Sequence, residues 1–521
     1  MDTHSSLELP EQFNAAVPLV DGNVAQGRGE KVAIHYQGGT FTYRQLQVMI
    51  NKTGNALRHL GIEMENRVLM IVLDCPEFIA SFLGAIKIGA VPIPTNTIMR
   101  SRDYQYFLND SRAMALIIDQ QLLPEVEPVL ANCPFLKHVI VIGDTTGKYH
   151  SYEKLVEPES ESLEAAPTHR DDMALWQYSS GSTGFPKGVV HLQHDMYHSY
   201  NTFGKYIVET KESDLVFSVA KLFFAYGLGN SLYFPFSVGA SSILWPARPL
   251  PEDMFKIIDK FKPTVLFNVP TMYGQMLQVK GAEKYDLSSL RILFSAGESL
   301  PPELFRQWKE RFGHELIDGI GSTEVIHLFI SNKLGSAKAG TSGKIIPGYE
   351  ARVADDQGND VPKGEVGNLW VSGDSTAPYY WNKHQKTKTT MIGEWVITGD
   401  KYYIDEEDYY VYCGRSDDML KVGGIWVSPI EIENCLMEHP SVLECAVIGE
   451  EDDANLIKPK AFIVLKEGVQ PGPTLEQAYT EHIRARLAHY KYPRWYEFVP
   501  ELPKTATGKI QRYKLRQLSS A

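Results

Sequence analysis

The chain has 521 residues, of which 43% are hydrophobic and 22% charged, and 64 acidic against 51 basic residues give a formal charge of −13. This length exceeds what one hydrophobic core usually serves, so at least two domains are expected. The acidic balance argues against a nucleic-acid-binding protein and against binding to anionic membranes. Five scattered cysteines without CxxC spacing argue against a disulfide framework or a zinc site and favour a reducing cytoplasm. No stretch resembles a signal peptide or a spanning helix, so no membrane insertion is expected.

Short apolar runs alternate with segments of helical spacing along the first three hundred residues. Strands are predicted at residues 67–73, 90–94, 115–118, 139–142, 264–268 and 292–295, with a helix at 76–88. This alternation predicts α/β layers with largely parallel sheets. From residue 340 to 412 the sequence pattern changes. Short strands at 367–372, 394–398 and 409–412, separated by glycine-containing turns, predict a smaller β unit.

A polar turn at residues 414–418 suggests a domain boundary. A helix at 429–438, strands near 442–449 and 460–465, and a basic tail follow it. We therefore predict an α/β fold with a large N-terminal domain, residues 1–415, and a small α+β C-terminal domain, residues 416–521. The larger domain would contain the layered parallel sheets with their helices and the β unit.

The most informative segment is residues 178–188, with the sequence YSSGSTGFPKG. Its glycines allow close backbone approach, and its hydroxyl groups and Lys187 add donors that suit a polyphosphate. The spacing matches neither a Walker-type loop nor the GxGxxG dinucleotide fingerprint. A surface turn is the plain alternative. The lysine among glycines and the apolar flanks favour a flexible phosphate-binding loop.

Together with this loop, four further segments resemble the adenylate-forming superfamily, which contains acyl-CoA synthetases, luciferases and peptide-synthetase adenylation domains. They are residues 319–324 (GIGSTE), 398–400 (TGD), 414–421 (GRSDDMLK) and 503–510 (PKTATGKI). The resemblance covers nearly the whole chain in order. It implies ATP, Mg²⁺ and coenzyme A as cofactors, and activation of a carboxylic acid as its acyl-adenylate before transfer to the thiol of coenzyme A.

The resemblance also implies roles for single residues. Catalysis would fall to Lys509, Thr323 and Glu324, with Lys509 near the reacting carboxylate and α-phosphate and Glu324 as the Mg²⁺ ligand. Asp417 stands at the hinge, about which a mobile C-terminal domain would rotate for thioester formation. Cofactor binding is implied for Ser179, Ser180, Gly181, Ser182, Thr183, Gly184, Lys187, Gly297, Glu298, Asp318, Gly319, Ile320, Gly321, Asp400, Arg415, Lys421, Gly423 and Gly424.

Taken singly, these residues have plainer explanations. Asp400 could cap a turn, Arg415 could pair with a surface carboxylate, and Lys509 could belong to a solvated basic tail. Their joint order favours the site. Acetylation of Lys509 would remove its charge and silence adenylation. An acetyltransferase or deacetylase is therefore a candidate partner, as is a second copy of the chain in a homodimer.

Segments 221–230 (KLFFAYGLGN), 295–298 and 318–327 resemble benzoate-CoA ligases in particular. That resemblance implies an acid pocket lined by Phe224, Ala225, Tyr226, Ala296, Ile326 and His327, together with Gly321. Its small residues would leave a slot for a flat aromatic acid between apolar walls. His327 could face the carboxylate or a ring substituent, or be a core histidine. Ile320 replaces an aromatic residue that stacks on adenine in many relatives, so the details of adenine binding stay open.

The predicted function is therefore that of a benzoate-CoA ligase, an AMP-forming acid–thiol ligase of aromatic-compound degradation. It would convert benzoate or a closely related aromatic acid, ATP and coenzyme A to aroyl-CoA, AMP and diphosphate. Tolerance of several small benzoates is expected, because a pocket without a dedicated polar partner discriminates them only modestly. Alternatives are an alicyclic acid as substrate, a carrier protein as acceptor, luciferase-like oxygenation, and a nucleotide sensor without catalysis.

Overall fold

The computed structural model describes residues 9–145, 147–181, 184–422, 425–452, 456–504 and 510–519, without the side chains of residues 180, 181, 184, 185, 421, 425 and 426. The α-helices span Ala16–Leu19, Asp21–Asn23, Tyr43–His59, Pro76–Lys87, Ser101–Ser111, Leu123–Val126, Tyr152–Val156, Asp195–Ser199, Ala225–Leu228, Phe234–Val238, Pro251–Phe261, Pro270–Leu277, Pro302–Phe312, His384–Thr390, Pro429–Met437, Pro473–Arg484 and Arg512–Ser519. Turns of 3₁₀ or π type span Val24–Arg28, Gln120–Leu122, Glu127–Asn132, Tyr200–Val208, Gly229–Tyr233, Ala282–Lys284 and Thr323–Val325.

A large mixed sheet forms the centre of the N-terminal part. Its strands lie in the order Lys344–Ile345, Leu328–Ser331, Leu316–Gly321, Ile292–Ser295, Val265–Asn268, Leu215–Ser218, Ser241–Leu244, Val32–Tyr36 and Gly39–Thr42. The central strands are parallel and the outer ones antiparallel. Phe267 and Phe294 belong to one hydrophobic cluster, whereas Leu266 and Leu293 belong to another. The sheet is thus buried on both faces, as parallel sheets generally are.

A second, wholly parallel sheet lies earlier in the chain. Its strands lie in the order Val91–Pro94, Arg67–Ile71, Ala115–Asp119, His138–Ile142 and His150–Ser151. Helix Pro76–Lys87 crosses between two of these strands, begins with proline at its first turn and buries nearly every residue. A helix that is apolar all round is expected to be buried in this way. The predicted parallel layers are confirmed, with strand ends shifted by one or two residues.

The predicted β unit is an antiparallel sheet. Its strands are Tyr349–Ala354, Gly367–Gly373, Trp395–Ile404, Met391–Ile392 and Tyr410–Arg415. The last of these pairs with Trp395–Ile404, and this pairing places Asp400 opposite Arg415. The β unit thereby brings together two residues that the sequence assigns to the nucleotide.

The glycine-rich segment differs from the flexible loop that its composition predicts. Strands Met173–Gly181 and Gly184–Leu192 form an antiparallel hairpin, here called the glycine hairpin. Its pairing includes Ser179 opposite Lys187. Buried Trp176 and Val190 pack into a hydrophobic cluster from both strands, which explains why regular pairing extends so far into the glycine-rich stretch.

The C-terminal part combines a hairpin, Leu420–Val422 with Ile425–Val427, and a sheet of Val442–Glu451, Ile457–Leu465 and Trp495–Phe498. Its hydrophobic clusters are made of residues from Leu420 onward, distinct from those of the N-terminal part. This is the α+β arrangement that the sequence predicts. Throughout the described ranges, no helix is long and apolar enough to cross a membrane.

Candidate active site

Both strands of the glycine hairpin contact helix Ser101–Ser111. The Tyr178 hydroxyl donates to Asp110 Oδ2 at 2.9 Å, and the Tyr106 hydroxyl donates to the Pro186 carbonyl at 2.8 Å. Both strands of the hairpin are therefore held just before the glycine-rich end. The predicted residues Ser180, Gly181 and Gly184 lie at that end as backbone positions, whereas Ser182 and Thr183 lie outside the described residues.

Glu324 is the centre of a polar cluster beside this hairpin. It lies in the 3₁₀ turn Thr323–Val325, here called the Thr-Glu turn. Its Oε1 atom accepts hydrogen bonds from the Tyr380 hydroxyl at 2.8 Å and from Ser179 Oγ at 3.3 Å. Lys187 Nζ lies 3.5 Å from the same oxygen and 4.3 Å from the centroid of the Tyr380 ring. The structure thus joins Ser179, Lys187 and Glu324, as the sequence analysis expects.

The electrostatics of this cluster favour a charged pair. Burial acts to raise the pKa of Glu324, but the positive charge of Lys187 and the hydrogen bond from Tyr380 outweigh it and hold that pKa below its usual value. Burial lowers the pKa of Lys187, and Glu324 opposes that shift. Burial also raises the pKa of Tyr380, and the negative charge of Glu324 adds to the effect. Tyr380 is therefore a neutral donor beside a carboxylate.

This carboxylate suits a metal ion that is shared with a substrate. Within the ranges that the structure describes, no three His, Cys, Asp or Glu side chains cluster as a metal cage. Mg²⁺ is commonly bound by one or two carboxylates together with substrate phosphates, so a dedicated cage is not required. Glu324 keeps 15% of its side chain exposed, as does Lys187, which leaves the pair accessible to a phosphate.

Asp400 and Arg415 form an ion pair across two antiparallel strands. Arg415 Nη1 lies 3.0 Å from Asp400 Oδ1 and 3.2 Å from the Thr398 carbonyl. The charge of Asp400 raises the pKa of Arg415. Gly399 has a φ of 78°, and a Cβ there would lie 2.9 Å from Arg415 Nη2. The positive φ favours glycine at this position, and a side chain there would also displace the Arg415 guanidinium.

Several predicted nucleotide residues lie at the carboxyl ends of neighbouring parallel strands. Asp318 is paired with Ser295, and Gly297 follows with a φ of 90°. Burial raises the pKa of Asp318, whose Oδ1 has no partner among the described residues. The Glu298 carboxylate accepts from Thr271 Oγ1 at 2.7 Å. In open α/β sheets, this edge is where ligands bind.

The two glycines of strand Leu316–Gly321 pack closely against neighbouring backbone. A Cβ at Gly319 would lie 2.8 Å from the Ile330 carbonyl, and a Cβ at Gly321 would lie 2.5 Å from the His327 carbonyl. Neither position can accept a side chain without a shift of the backbone. Ile320, between them, is half-buried against the large core.

The predicted acid-pocket residues come from three places in the chain. Phe224, Ala225 and Tyr226 begin a short helix and are partly exposed, Ala296 follows a central strand, and Ile326 and His327 follow the Thr-Glu turn. The structure brings two of these elements into contact, since the Tyr226 and His327 rings are 5.4 Å apart. The Tyr226 hydroxyl is buried and has no partner among the described residues.

His327 has the features of a buried, neutral histidine. Its Nε2 lies 3.1 Å from Asn230 Oδ1 and 3.3 Å from the Tyr226 carbonyl. Because a carbonyl can only accept, Nε2 carries the proton. Burial lowers the pKa of His327 to about 3, so the ring is uncharged at neutral pH. The rings of Phe203 and Phe234 lie at 5.0 and 4.6 Å, and Nδ1 has no partner in the described part of the chain.

The hinge and the C-terminal residues are only partly described. Asp417 is exposed, and its carbonyl lies 3.5 Å from Arg516 Nη2. The next residue, Asp418, contacts both Arg512 and Arg516. Gly423, Gly424 and Lys509, and the side chain of Lys421, lie outside the described residues.

Three residues whose side chains hydrogen-bond to the Thr-Glu turn were not predicted from the sequence. They are Tyr380, Ser375 and His191. His191 could have been found, because it follows Lys187 by four positions on one strand and alternate residues of a strand share a face. Tyr380 and Ser375 give no such signal, since their segment approaches Glu324 only through the tertiary fold.

Comparison with known proteins agrees with this geometry. Residues 22–381 match the family model described as AMP-binding enzyme, and residues 431–509 match the model of the AMP-binding enzyme C-terminal domain. The chain belongs to the AMP-binding enzyme family. The predicted superfamily resemblance is thereby confirmed, and the cluster around Glu324 becomes the candidate nucleotide site of an AMP-binding enzyme.

Individual relatives of this AMP-binding enzyme are similar over their whole length. The benzoate–CoA ligase of Thauera aromatica is 48% identical over 517 residues, which cover 99% of this chain and 98% of that protein. The crystal structure of the anthranilate CoA ligase AuaEII in complex with anthranoyl-AMP has a TM-score of 0.95 at 45% identity and 98% coverage of both chains. A benzoate CoA ligase from Burkholderia xenovorans LB400 has a TM-score of 0.90 at 42% identity, covering 97% of this chain and 100% of its own.

Proposed function

We propose that the protein is a benzoate-CoA ligase, which converts benzoate or a close aromatic analogue, ATP and coenzyme A to aroyl-CoA, AMP and diphosphate. The observation that carries this proposal is the position of Glu324. Its carboxylate lies beside Lys187 of the glycine hairpin, and the aromatic surroundings of His327 begin only a few residues further along the chain. A triphosphate and an aromatic acid could thus approach one another at one edge of the sheet.

In the adenylation step, the glycine hairpin and Lys187 would bind the ATP phosphates. Glu324 would hold Mg²⁺, which offsets negative charge as diphosphate leaves, with Thr323 at the α-phosphate. Asp400 would accept hydrogen bonds from the ribose hydroxyls, and Arg415 would hold its carboxylate in place. Gly297, Glu298 and the strand from Asp318 would form the surroundings of adenine and the reacting acid.

We propose a domain boundary between residues 415 and 416, with Asp417 as the hinge. The separate hydrophobic clusters of the C-terminal part support this division. Lys509 would act in adenylation, whereas Gly423 and Gly424 would leave room for the pantetheine thiol in thioester formation, with Lys421 nearby. Two conformations of one mobile domain would therefore serve the two half-reactions.

The acid pocket supports a small aromatic substrate. Tyr226, His327 and the surrounding phenylalanines offer flat apolar contacts. The names of the relatives cover both benzoate and anthranilate, so tolerance of several substituted benzoates is part of the proposal. We further propose a cytoplasmic location, a homodimer as the assembly, and inactivation by acetylation of Lys509.

The test is an assay of the protein with ATP, Mg²⁺ and coenzyme A against benzoate, 2-aminobenzoate, cyclohexanecarboxylate and a fatty acid, following AMP and acyl-CoA. We expect the highest kcat/KM with a benzoate. A preference for the alicyclic or fatty acid would overturn the substrate assignment. Adenylate without thioester would point to another acceptor.

A matched pair of variants separates the two half-reactions. Lys509→Ala should lose adenylation but still convert preformed benzoyl-adenylate and coenzyme A to benzoyl-CoA. Gly424→Leu should do the reverse, because a side chain would obstruct the thiol. Loss of both half-reactions in either variant would contradict the assigned roles.

A further inference from the structure

The Thr-Glu turn is held from outside at every one of its carbonyls. The Thr323 carbonyl lies 2.7 Å from His191 Nε2, and the Val325 carbonyl accepts from Ser375 Oγ at 3.0 Å. Between them, the Glu324 carbonyl accepts from the backbone N–H of Ala377 at 2.8 Å. These contacts come from two separate segments of the chain, one containing His191 and the other Ser375 and Ala377.

The turn needs such support because of the residue that ends it. Ile326 has a φ of 66°, which β-branched residues rarely adopt. A backbone conformation of this kind costs on the order of 1–3 kcal/mol and persists only where the surroundings impose it. A 3₁₀ turn of three residues has little internal hydrogen bonding to supply that restraint.

His191 is the support that belongs to the glycine hairpin. It is fully buried, as is its partner Asp195, and its Nδ1 lies 2.6 Å from Asp195 Oδ2. The Thr323 carbonyl can only accept, so His191 Nε2 donates to it, while Nδ1 faces the Asp195 carboxylate. Asp195 Oδ2 also accepts from the Leu192 backbone N–H at 3.1 Å, which fixes the carboxylate. Asp195 thus orients the imidazole through Nδ1, and the imidazole holds the turn through Nε2.

One strand of the glycine hairpin supplies two of the contacts to the Thr-Glu turn. Lys187 and His191 lie four residues apart on Gly184–Leu192, and alternate side chains of a strand share a face. Lys187 reaches the Glu324 carboxylate, and His191 reaches the Thr323 carbonyl. A change at His191 can therefore move the turn without removing any side chain that the proposed function assigns to ATP or Mg²⁺.

We propose that His191, oriented by Asp195, is a positioning residue for adenylation. It fixes the Thr323 carbonyl and so aims the Thr323 hydroxyl and the Glu324 carboxylate at the phosphates and Mg²⁺. The inference rests on the proposed function for the chemistry of that turn. Residues that orient metal ligands typically affect activity by about 10- to 100-fold when they are changed.

Two amide variants of His191 form a matched test. The amide nitrogen of Gln can take the place of Nε2 and still donate to Thr323, whereas the shorter Asn can reach only the place of Nδ1. In benzoate-dependent ATP–diphosphate exchange, we expect His191→Asn to lose about 10- to 100-fold in kcat and His191→Gln to keep most of the rate. The KM for benzoate and the conversion of preformed benzoyl-adenylate with coenzyme A should remain unchanged in both.

Asp195→Asn provides a second measurement. It keeps an oxygen that can accept from His191 Nδ1 but removes the charge, so we expect a smaller loss in the same adenylation step, about tenfold. Wild-type exchange rates in both His191→Asn and Asp195→Asn would overturn the proposal. An equal loss in His191→Gln and His191→Asn, with thioester formation reduced as well, would show a purely structural role and would also overturn it.

Failure of the proposed function would look different. If the wild-type protein adenylated none of the aryl acids, protection against thermal unfolding by ATP with Mg²⁺ would replace the exchange assay. We expect His191→Asn to reduce that protection and His191→Gln to retain it. Equal protection of the two variants would overturn the positioning role independently of the substrate.

Discussion

Two adjacent stretches of this chain meet their surroundings in opposite ways. In the Thr-Glu turn, all three carbonyls and the Glu324 carboxylate are held by neighbouring segments. Around the predicted acid pocket, by contrast, two buried polar atoms have no partner among the described residues. Both His327 Nδ1 and the Tyr226 hydroxyl are buried without a partner in the part of the chain that the structure describes.

The difference corresponds to two tasks in the proposed function: the turn would hold groups for ATP and Mg²⁺ in fixed positions, and the pocket would select the acid. A site for a common cofactor gains from preorganised groups, because they need no rearrangement during the reaction. A site for one acid among several can leave polar atoms unpaired, since substrates differ by the bonds they offer to them. We therefore expect substitutions around the Thr-Glu turn to affect turnover, and substitutions in the acid pocket to affect the choice of acid.

Glu324→Gln gives the largest expected effect. It keeps the shape of the side chain but removes the charge that Lys187 and Tyr380 surround. Adenylation should fall by about 100- to 1000-fold, as for the loss of a preorganised electrostatic group. The measurement is benzoate-dependent ATP–diphosphate exchange at several Mg²⁺ concentrations.

The control for that experiment is Glu365→Gln, at an exposed glutamate in the β unit. It changes the net charge by the same amount and should leave exchange unaltered. Exchange at the wild-type rate in Glu324→Gln would contradict both the metal role and the contrast between the two stretches.

Asp400→Ala tests the second paired carboxylate of the nucleotide side. It removes the acceptor expected for the ribose and leaves Arg415 without the contact at 3.0 Å. The KM for ATP should rise by about 10- to 100-fold, equivalent to hydrogen bonds with a charged group. The KM for benzoate should change little.

Asp356→Ala is the matched control, because this exposed aspartate pairs with Lys401 on the same strand as Asp400. Its removal should leave the KM for ATP as it is. A rise in both variants would indicate a general disturbance of the β unit.

The sequence predicts the fold and the nucleotide side better than it predicts the supports of that site. Parallel strands such as Ile292–Ser295 follow from apolar runs, and Lys187, Glu324 and Asp400 lie in motifs with a known order. Tyr380 and Ser375 could not be predicted, because their contacts depend on how the segment after strand Gly367–Gly373 of the β unit approaches the turn. The flexible loop expected at residues 178–188 is largely a hairpin, since the buried side chains on its flanks favour pairing.

Tyr380→Phe should shift the pH dependence of adenylation. The folded pKa of Glu324 lies below its usual value, so its charged form contributes at neutral pH and is lost as the pH falls through that pKa. Removing the hydroxyl removes one of the causes that oppose burial, so the pKa of Glu324 should rise. The acid limb of kcat/KM, followed from about pH 4 to 7, should move to higher pH, with a rate loss of about tenfold at neutral pH.

Tyr379→Phe is the matched control for this shift. Its hydroxyl lies 3.6 Å from Met173 Sδ and, among the described residues, makes no hydrogen bond to Glu324. The acid limb should therefore stay in place. An unmoved limb in Tyr380→Phe would mean that the hydroxyl does not help to hold Glu324 in its charged form.

Tyr226→Phe has the smallest expected effect on turnover and tests the unpaired side. Its hydroxyl is buried without a partner among the described residues. Such a group lowers the free energy of unfolding by about 1–3 kcal/mol. Removing it should leave the free energy of unfolding unchanged or slightly higher, and kcat/KM for benzoate within about threefold of the wild type. The ratio of activities on hydroxybenzoates and benzoate should fall if the hydroxyl binds a ring substituent. Tyr233→Phe removes a second buried hydroxyl near His327 from outside the predicted pocket, so an equal fall in that variant would contradict a direct contact with the acid.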